Sequence, residues 1–414
     1  MASQGDPEVV IIGGGIGGSA LGATLARAGI AVTIVEKSTV HVDHVRGEWI
    51  APWGVAETQR LELYEALIAA GGHHLQTHIG FGDDVDADVA RAEAMDLSAL
   101  ASAGLKPPLC MRHPHHCDVL NRVAAERGVT LMRGASNLRV TAGERPEVRF
   151  HHEGREHAIR PRLIVGADGR NSIVRGQVGV ELRRDPPHHL MAGLLVDGVD
   201  GWPAGLQTFG TQNDINFLVF PQSATRARLY IDYGIDQKRR FAGEDGAARF
   251  LEAFRLAVLP GSEFLARGTP AGPCNSYGNE DTWTDSPLAR GVVLIGDAAG
   301  HNDPIIGQGL SITYRDVRIV RDLMLENRGD WSARAFAPYA DERRERMRRL
   351  RTTASMLSIL YAEFGPRARD RRVRFREHRA KGAIVDLGPV SFMGPELFPA
   401  EMFSPDLLDR VRAL

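Results

Sequence analysis

The sequence Glu8-Val-Val-Ile-Ile-Gly13-Gly-Gly-Ile-Gly-Gly18 joins a β-branched run to a small-residue segment, Ser19 to Ala28, with helical spacing at Leu21, Leu25 and Ala28. This is a strand, a glycine turn and a helix. Gly13 permits the tight turn, Gly15 lets backbone approach a pyrophosphate, and Gly18 lets the helix lie on the strand, with Gly17 inside the same turn. The N–H groups at the helix start are free to bind phosphate oxygens. Gly29 ends the helix, and Ile30 to Val35 forms a second buried strand that stops at Glu36, where an acidic residue can accept hydrogen bonds from a ribose hydroxyl. Lys37 follows as a further candidate contact. These features predict a dinucleotide-binding unit without separating FAD from NAD. A carboxylate at the ribose disfavours the extra phosphate of NADP at this site, so any NADPH binds elsewhere.

Two later segments repeat the theme of a strand running into a glycine-aspartate turn. The first is Arg162-Leu-Ile-Val-Gly-Ala-Asp168-Gly169-Arg-Asn-Ser172. The second is Gly291-Val-Val-Leu-Ile-Gly296-Asp297-Ala-Ala-Gly-His301-Asn-Asp303-Pro304-Ile-Ile-Gly307-Gln308-Gly309, followed by an amphipathic segment from Leu310 to Leu325. Taken singly, Asp297 is open to a reading as a helix N-cap and Asp168 to one as a turn residue.

In this order the three motifs resemble those of flavoprotein monooxygenases of the para-hydroxybenzoate hydroxylase fold, over most of residues 8 to 325. The resemblance implies that FAD is the cofactor and that Asp297 binds its ribityl chain. It also implies that Pro304, Gly307, Gln308 and Gly309 set backbone and a helix N-terminus against the isoalloxazine, and that Asp168 and Gly169 lie near the riboflavin and pyrophosphate. NADPH or NADH is then a transient electron donor. A helix N-terminus beside the flavin favours its anionic reduced form.

The expected fold class is α/β: a Rossmann-like FAD-binding domain with an inserted antiparallel substrate sheet and a helical C-terminal region. The boundaries place the FAD-binding domain at 1–72, 104–182 and 281–335, the substrate domain at 73–103 and 183–280, and the C-terminal helices and tail at 336–414. No second GxGxxG unit occurs, which argues against disulfide reductases and Baeyer-Villiger enzymes.

Arg46, in Val45-Arg-Gly-Glu-Trp-Ile-Ala-Pro-Trp-Gly54, is expected at the cofactor and the reacting centre, with a surface or capping arginine as the alternative. Arg112 is a second phosphate candidate. Gly47-Glu48-x-x-x-Pro52 resembles the GExxxP segment of flavin-dependent halogenases. Those enzymes work through a lysine near a WxWxIP motif, which is absent here, and Lys37, Lys106, Lys238 and Lys381 lie in no such context.

Phe217, Phe220 and Tyr230 are candidates for an aromatic-substrate pocket, with Tyr233 beside them, and cross-strand core pairing is the alternative. His301 and Asp303 could orient a substrate hydroxyl or relay a proton, or only hold the loop. The arginine-dense run Glu342 to Arg351 reads as a solvated face. The proline-rich tail from Leu387 is expected to wrap, either closing the active site or forming a homodimer contact.

A net charge of −2 supplies no field for nucleic acid or an anionic membrane, and no stretch is apolar enough to span one. Cys110, Cys117 and Cys274 show no ligand spacing, so neither a metal nor a disulfide framework is expected. A polar start leading straight into a strand reads as no signal peptide, so a cytoplasmic enzyme is expected. The overall expectation is a monooxygenase in which NAD(P)H reduces FAD, oxygen forms a flavin hydroperoxide, and one oxygen enters a small aromatic or polycyclic substrate. A halogenase served by a separate reductase, or a reductase like those acting on geranylgeranyl chains, is the alternative.

Overall fold

Four β-branched residues at Val9–Ile12 form the central strand, and all four are buried because both faces of a parallel strand are covered. This computed structural model describes residues 7–45 and 47–414. Val9–Ile12 pairs in parallel with Val32–Glu36 on one side and with Leu163–Gly166 on the other. Among the described residues these strands belong to a six-stranded sheet, extended by Thr130–Arg133 at one end and by Val292–Leu294 and Leu288–Ala289 at the other. All three motifs therefore leave the carboxyl ends of adjacent strands, at the same edge of the sheet. The helix Ile16–Arg27 packs on one face together with His113–Glu126 and Gly309–Glu326.

A second, mostly antiparallel sheet contains Thr77–Gly82, His189–Asp197, Leu206–Gln212, Ile215–Pro221 and Arg226–Tyr233. Its alternation is decisive. Phe217, Val219, Leu229, Ile231 and Tyr233 enter an apolar core with Phe241, Phe250 and Phe254. The opposite face carries His78, Gln207, Phe209, Asn216, Leu218, Phe220 and Tyr230, and it is turned toward the dinucleotide domain rather than toward water. Ladder registers fix the pairing, with His78 opposite Gln207 and Leu218 opposite Tyr230.

The long helix Ala337–Tyr361 follows, then Pro366–Ala380, and the tail supplies two further helices, Val390–Met393 and Pro405–Arg412. Met347, Leu350, Ala354 and Phe392 join the core that contains Trp49, Ile305 and Ile306. Contrary to the solvated face expected for Glu342 to Arg351, Arg343 and Arg346 are buried. Their charges are matched from inside the protein by Asp316, as described below. No described helix is long and apolar enough to cross a membrane.

Candidate active site

One continuous cavity of about 790 Å³ runs from the first glycine turn to the second sheet. Its near end is built by Gly15, Ile16 and Gly17, beside Ala167, Gly169 and Arg170 and beneath Gly296 and Asp297. The helix start has no side-chain cap and no acidic residue in its first turn, which leaves the positive end of its dipole for a ligand. A Cβ on Gly15 would meet nothing within 4 Å, so this stretch of wall stands open where a pyrophosphate would lie. These residues fit FAD.

Gly13 and Gly18 stand behind the wall. Gly13 is in the left-handed region at φ 107° and donates its N–H to Val35 O at 2.9 Å. Glu36 is 7% exposed and accepts from Gly14 N at 2.6 Å and Ser38 N at 2.7 Å. Its carboxylate thus braces the turn from behind the cavity wall. Lys37 and Arg112 are exposed and off the cavity wall, and Arg112 precedes His113–Glu126 without a side-chain capping bond, while His113 lines the cavity instead. Arg46 lies outside the described residues.

The two aspartates of the later motifs differ. Asp168 accepts from Ser172 Oγ, from Ile173 N at 2.7 Å and from Val174 N at 3.1 Å, so its carboxylate caps the short helix behind the wall. Asp297 lines the cavity, paired at 3.3 Å with Arg170 Nε. Arg170 drew no attention in the sequence, although it directly follows the Asp-Gly pair.

The loop bearing Asp297 is fixed from below. Gly296 N donates to Asp316 Oδ2 at 2.8 Å. Arg343 bonds the same oxygen at 3.0 Å and donates to the carbonyls of Gly296, Ala299 and Gly300. Arg346 reaches the other oxygen of Asp316 at 2.6 Å. Burial alone would raise the Asp316 pKa, but the two guanidiniums outweigh it and hold the carboxyl below the usual carboxylate range.

Pro304, Gly307, Gln308 and Gly309 all line the middle of the cavity. Trp53 Nε1 donates to Gln308 Oε1 at 2.7 Å, and Gln308 Nε2 reaches the tail at Ser391 O at 3.0 Å. A Cβ on Gly307, which sits at φ 66°, would meet the Trp49 ring at 3.0 Å, so this position requires glycine. The tail therefore closes on the site, with Phe392 on the cavity wall.

Beyond the loop the walls become aromatic: Trp49, Phe209, Phe220, Tyr230, Tyr361 and Phe392. Phe217 is not among them. It lies in the core against Phe254, because residues 217 and 220 have opposite parity and a regular strand cannot turn both to one face. Glu48 also lines the cavity and is held by Arg228 through Nε at 2.5 Å and Nη2 at 2.8 Å, while Arg228 also binds Asp43. Desolvation raises the Glu48 pKa against the pull of Arg228. This link ties the second sheet to the segment that carries Asp43 and Glu48.

His301 lines the cavity, with Nδ1 2.8 Å from Thr282 Oγ1. Asp303 is fully buried behind the loop, where it accepts from Ile305 N at 2.9 Å. Of the two readings open for Asp303, its hydrogen bonds are those of the one that holds the loop, and the adjacent Asn302 lines the cavity. Asp303 instead faces His189 at 3.6 Å, and His189 stands 3.4 Å from Asp232 and 2.7 Å from Asn279. Asp281 completes the cluster, accepting from Asn302 Nδ2 at 2.8 Å and Asp303 N at 3.0 Å.

Burial and the neighbouring Asp303 push Asp281 up to about 7. The native state then keeps a proton that the unfolded chain releases near pH 4. This contribution to stability is full below about pH 4 and declines up to about pH 7, by at most about 1.4 kcal/mol per pH unit. Asp281→Asn, which retains the accepting oxygen, is expected to flatten that decline. Melting temperatures between pH 4 and 8 check it, and equal slopes in both proteins would place the proton elsewhere.

The chain belongs to the FAD binding domain family, which it matches over residues 6–354. It is a flavoprotein with the para-hydroxybenzoate hydroxylase type of fold. It is 25% identical to mouse squalene monooxygenase over 77% of this chain and 55% of that protein. The chain thus spans about half the length of that relative. It is 26% identical to 3-demethoxyubiquinol 3-hydroxylase of Escherichia coli, over 86% of this chain and 90% of that one. Among solved structures, p-nitrophenol 4-monooxygenase from Pseudomonas putida superposes with a TM-score of 0.78 at 18% identity, covering 98% of both chains. The flavin-dependent halogenase CmlS superposes at 0.75 and 18% identity, over 99% of this chain and 77% of that one.

Proposed function

We propose that this protein is an NAD(P)H-dependent monooxygenase acting on a small aromatic or polycyclic substrate. The observation that carries the reading is the single cavity that joins the uncapped helix start and Asp297 to an aromatic chamber through the loop Pro304–Gly309. FAD bound there supplies the reducing electrons and activates dioxygen. The chain's own part is to hold and exclude. The helix start and Gly15 receive the pyrophosphate, Asp297 with Arg170 receives the ribityl hydroxyls, and the glycines of the loop admit the ring. Trp49, Phe220, Phe392 and Tyr361 keep water from the reacting centre.

Halogenation is the second reading, favoured by Glu48 at the cavity wall in its Gly-Glu-x-x-x-Pro segment and by the likeness to CmlS. Against it, none of the four lysines lines the cavity.

The FAD-loaded protein is expected to oxidise NADH or NADPH with oxygen uptake that a phenolic or polycyclic compound accelerates at least about tenfold, the product gaining one oxygen atom by mass. Reduction only by an added flavin reductase, with halide incorporated, would establish the second reading instead.

A further inference from the structure

The sheet face that closes the far side of the chamber holds a short hydrogen-bond chain whose direction is fixed at its start. An indole N–H can only donate, and Trp49 Nε1 donates to Gln207 Oε1 at 2.8 Å. That bond fixes the amide, so Gln207 Nε2 is turned to His78 Nδ1, 2.9 Å away. An amide nitrogen donates, so Nδ1 accepts and the ring proton of a neutral His78 sits on Nε2.

His78 lines the cavity, stacked on Phe209 at 5.3 Å and 8°, with Phe392 edge-on at 5.1 Å. Among the described residues no hydrogen bond reaches Nε2, and the ring forms part of the cavity wall. Burial lowers the His78 pKa to about 4, which keeps the ring neutral through the physiological range. Trp49, the origin of the chain, packs against Gly307 of the flavin loop. One glutamine therefore separates a residue touching that loop from a donor facing the chamber.

We propose that His78 is the polar anchor of the substrate site, its Nε2–H donating to an acceptor oxygen, so that the chamber takes compounds bearing a phenolate or carbonyl oxygen. A substrate offering only a donor meets a second donor and loses the contact. The proposal deepens the monooxygenase reading and rests on its taking this chamber for the substrate site.

Two measurements on FAD-loaded protein test it. The first is histidine-¹⁵N NMR of the wild type, with the His78 resonances identified by their loss in His78→Phe. They are expected to show protonated Nε2, bare Nδ1 and no titration between pH 5.5 and 8, and Trp49→Phe, which frees the amide to rotate, is expected to mix the tautomers. A proton on Nδ1, or titration near pH 6.5, overturns the proposal.

The second compares pentafluorophenolate with pentafluoroaniline, a probe of similar shape that carries a donor in place of the acceptor and no other strong acceptor. Wild type is expected to prefer the phenolate about tenfold or more, and His78→Phe, which keeps the ring stack, to lose the preference. Equal affinities in wild type, or no binding of either probe, overturn it. The monooxygenase reading fails separately: a phenolate preference that persists while no compound stimulates oxygen uptake would keep the anchor and discard the reaction.

Discussion

Replacing Arg343 by alanine is expected to cost on the order of 3–5 kcal/mol of stability and to leave a protein that loses its FAD on purification. The guanidinium is 2% exposed and has four partners: Asp316 and the carbonyls of Gly296, Ala299 and Gly300. Truncation takes a donor from each of those carbonyls, of which Ala299 O keeps Thr284 Oγ1 at 3.2 Å, and removes one of two cations that compensate a fully buried carboxylate. Water cannot readily substitute, since the helices Gly309–Glu326 and Ala337–Tyr361 close over the loop. The same loop carries Asp297 to the cavity wall, so its release loosens the cofactor as well as the fold. Arg344 provides the control, being largely exposed and paired only with Asp341 one turn away. Its alanine variant is expected within about 0.5 kcal/mol of wild type. Urea unfolding and the flavin content of both variants decide the matter, and an Arg343→Ala protein no worse than Arg344→Ala would show that the loop holds itself.

This arginine pair also shows where sequence reading stops. The three glycine-bearing motifs were legible because each demands a backbone geometry that only a few residues tolerate, and because their order restricts the topology. Gly13, Gly15, Asp297 and Gly307 stand out in the sequence for that reason. Arg343 could not, because a run of arginines on a helix looks the same whether it faces water or a buried carboxylate twenty-seven residues away.

The substrate sheet gives the complementary case. Arg226, Arg228, Tyr230 and Asp232 alternate with Ala227, Leu229, Ile231 and Tyr233, and the period is plain in the sequence. Reading polar as exposed would have sent Arg228 and Asp232 to solvent, yet both are fully buried. Glu48, from outside the sheet, partners Arg228, and His189, on the neighbouring strand of the same sheet, partners Asp232. The same parity separates Phe217 from Phe220, and it places His78 opposite the core residues Ile79 and Phe81. Applied strictly, it would have nominated His78 and rejected Phe217.

The steepest local constraint lies at the first glycine turn, and Gly18→Ala is expected to weaken FAD binding on the order of a hundredfold, about 2.7 kcal/mol. An added Cβ would fall on the carbonyl oxygen of Gly13 and stand 3.1 Å from Ile11 Cγ2. Neither neighbour can yield cheaply. Ile11 lies in the fully buried central strand, and Gly13 is locked by its positive φ and its bond to Val35. The helix must therefore move outward, carrying the N–H groups of Ile16 and Gly17 away from the position of the pyrophosphate. Gly22→Ala, one turn further along the same helix, separates this effect from glycine's general cost. There the new methyl crowds the side-chain end of Ile34, Cδ1 at 2.9 Å, reaches Ile11 Cδ1 only at ordinary contact, 3.6 Å, and meets no backbone, while alanine gains up to about 1 kcal/mol of helix propensity. Fluorescence titration of FAD into each apoprotein is expected to leave Gly22→Ala within about threefold of wild type. Equal weakening in the two variants would mean that helix displacement anywhere along the strand disturbs the cradle. A loss confined to Gly18→Ala would locate the constraint at one carbonyl, where the chain must pass its own backbone to present a helix end to the phosphates.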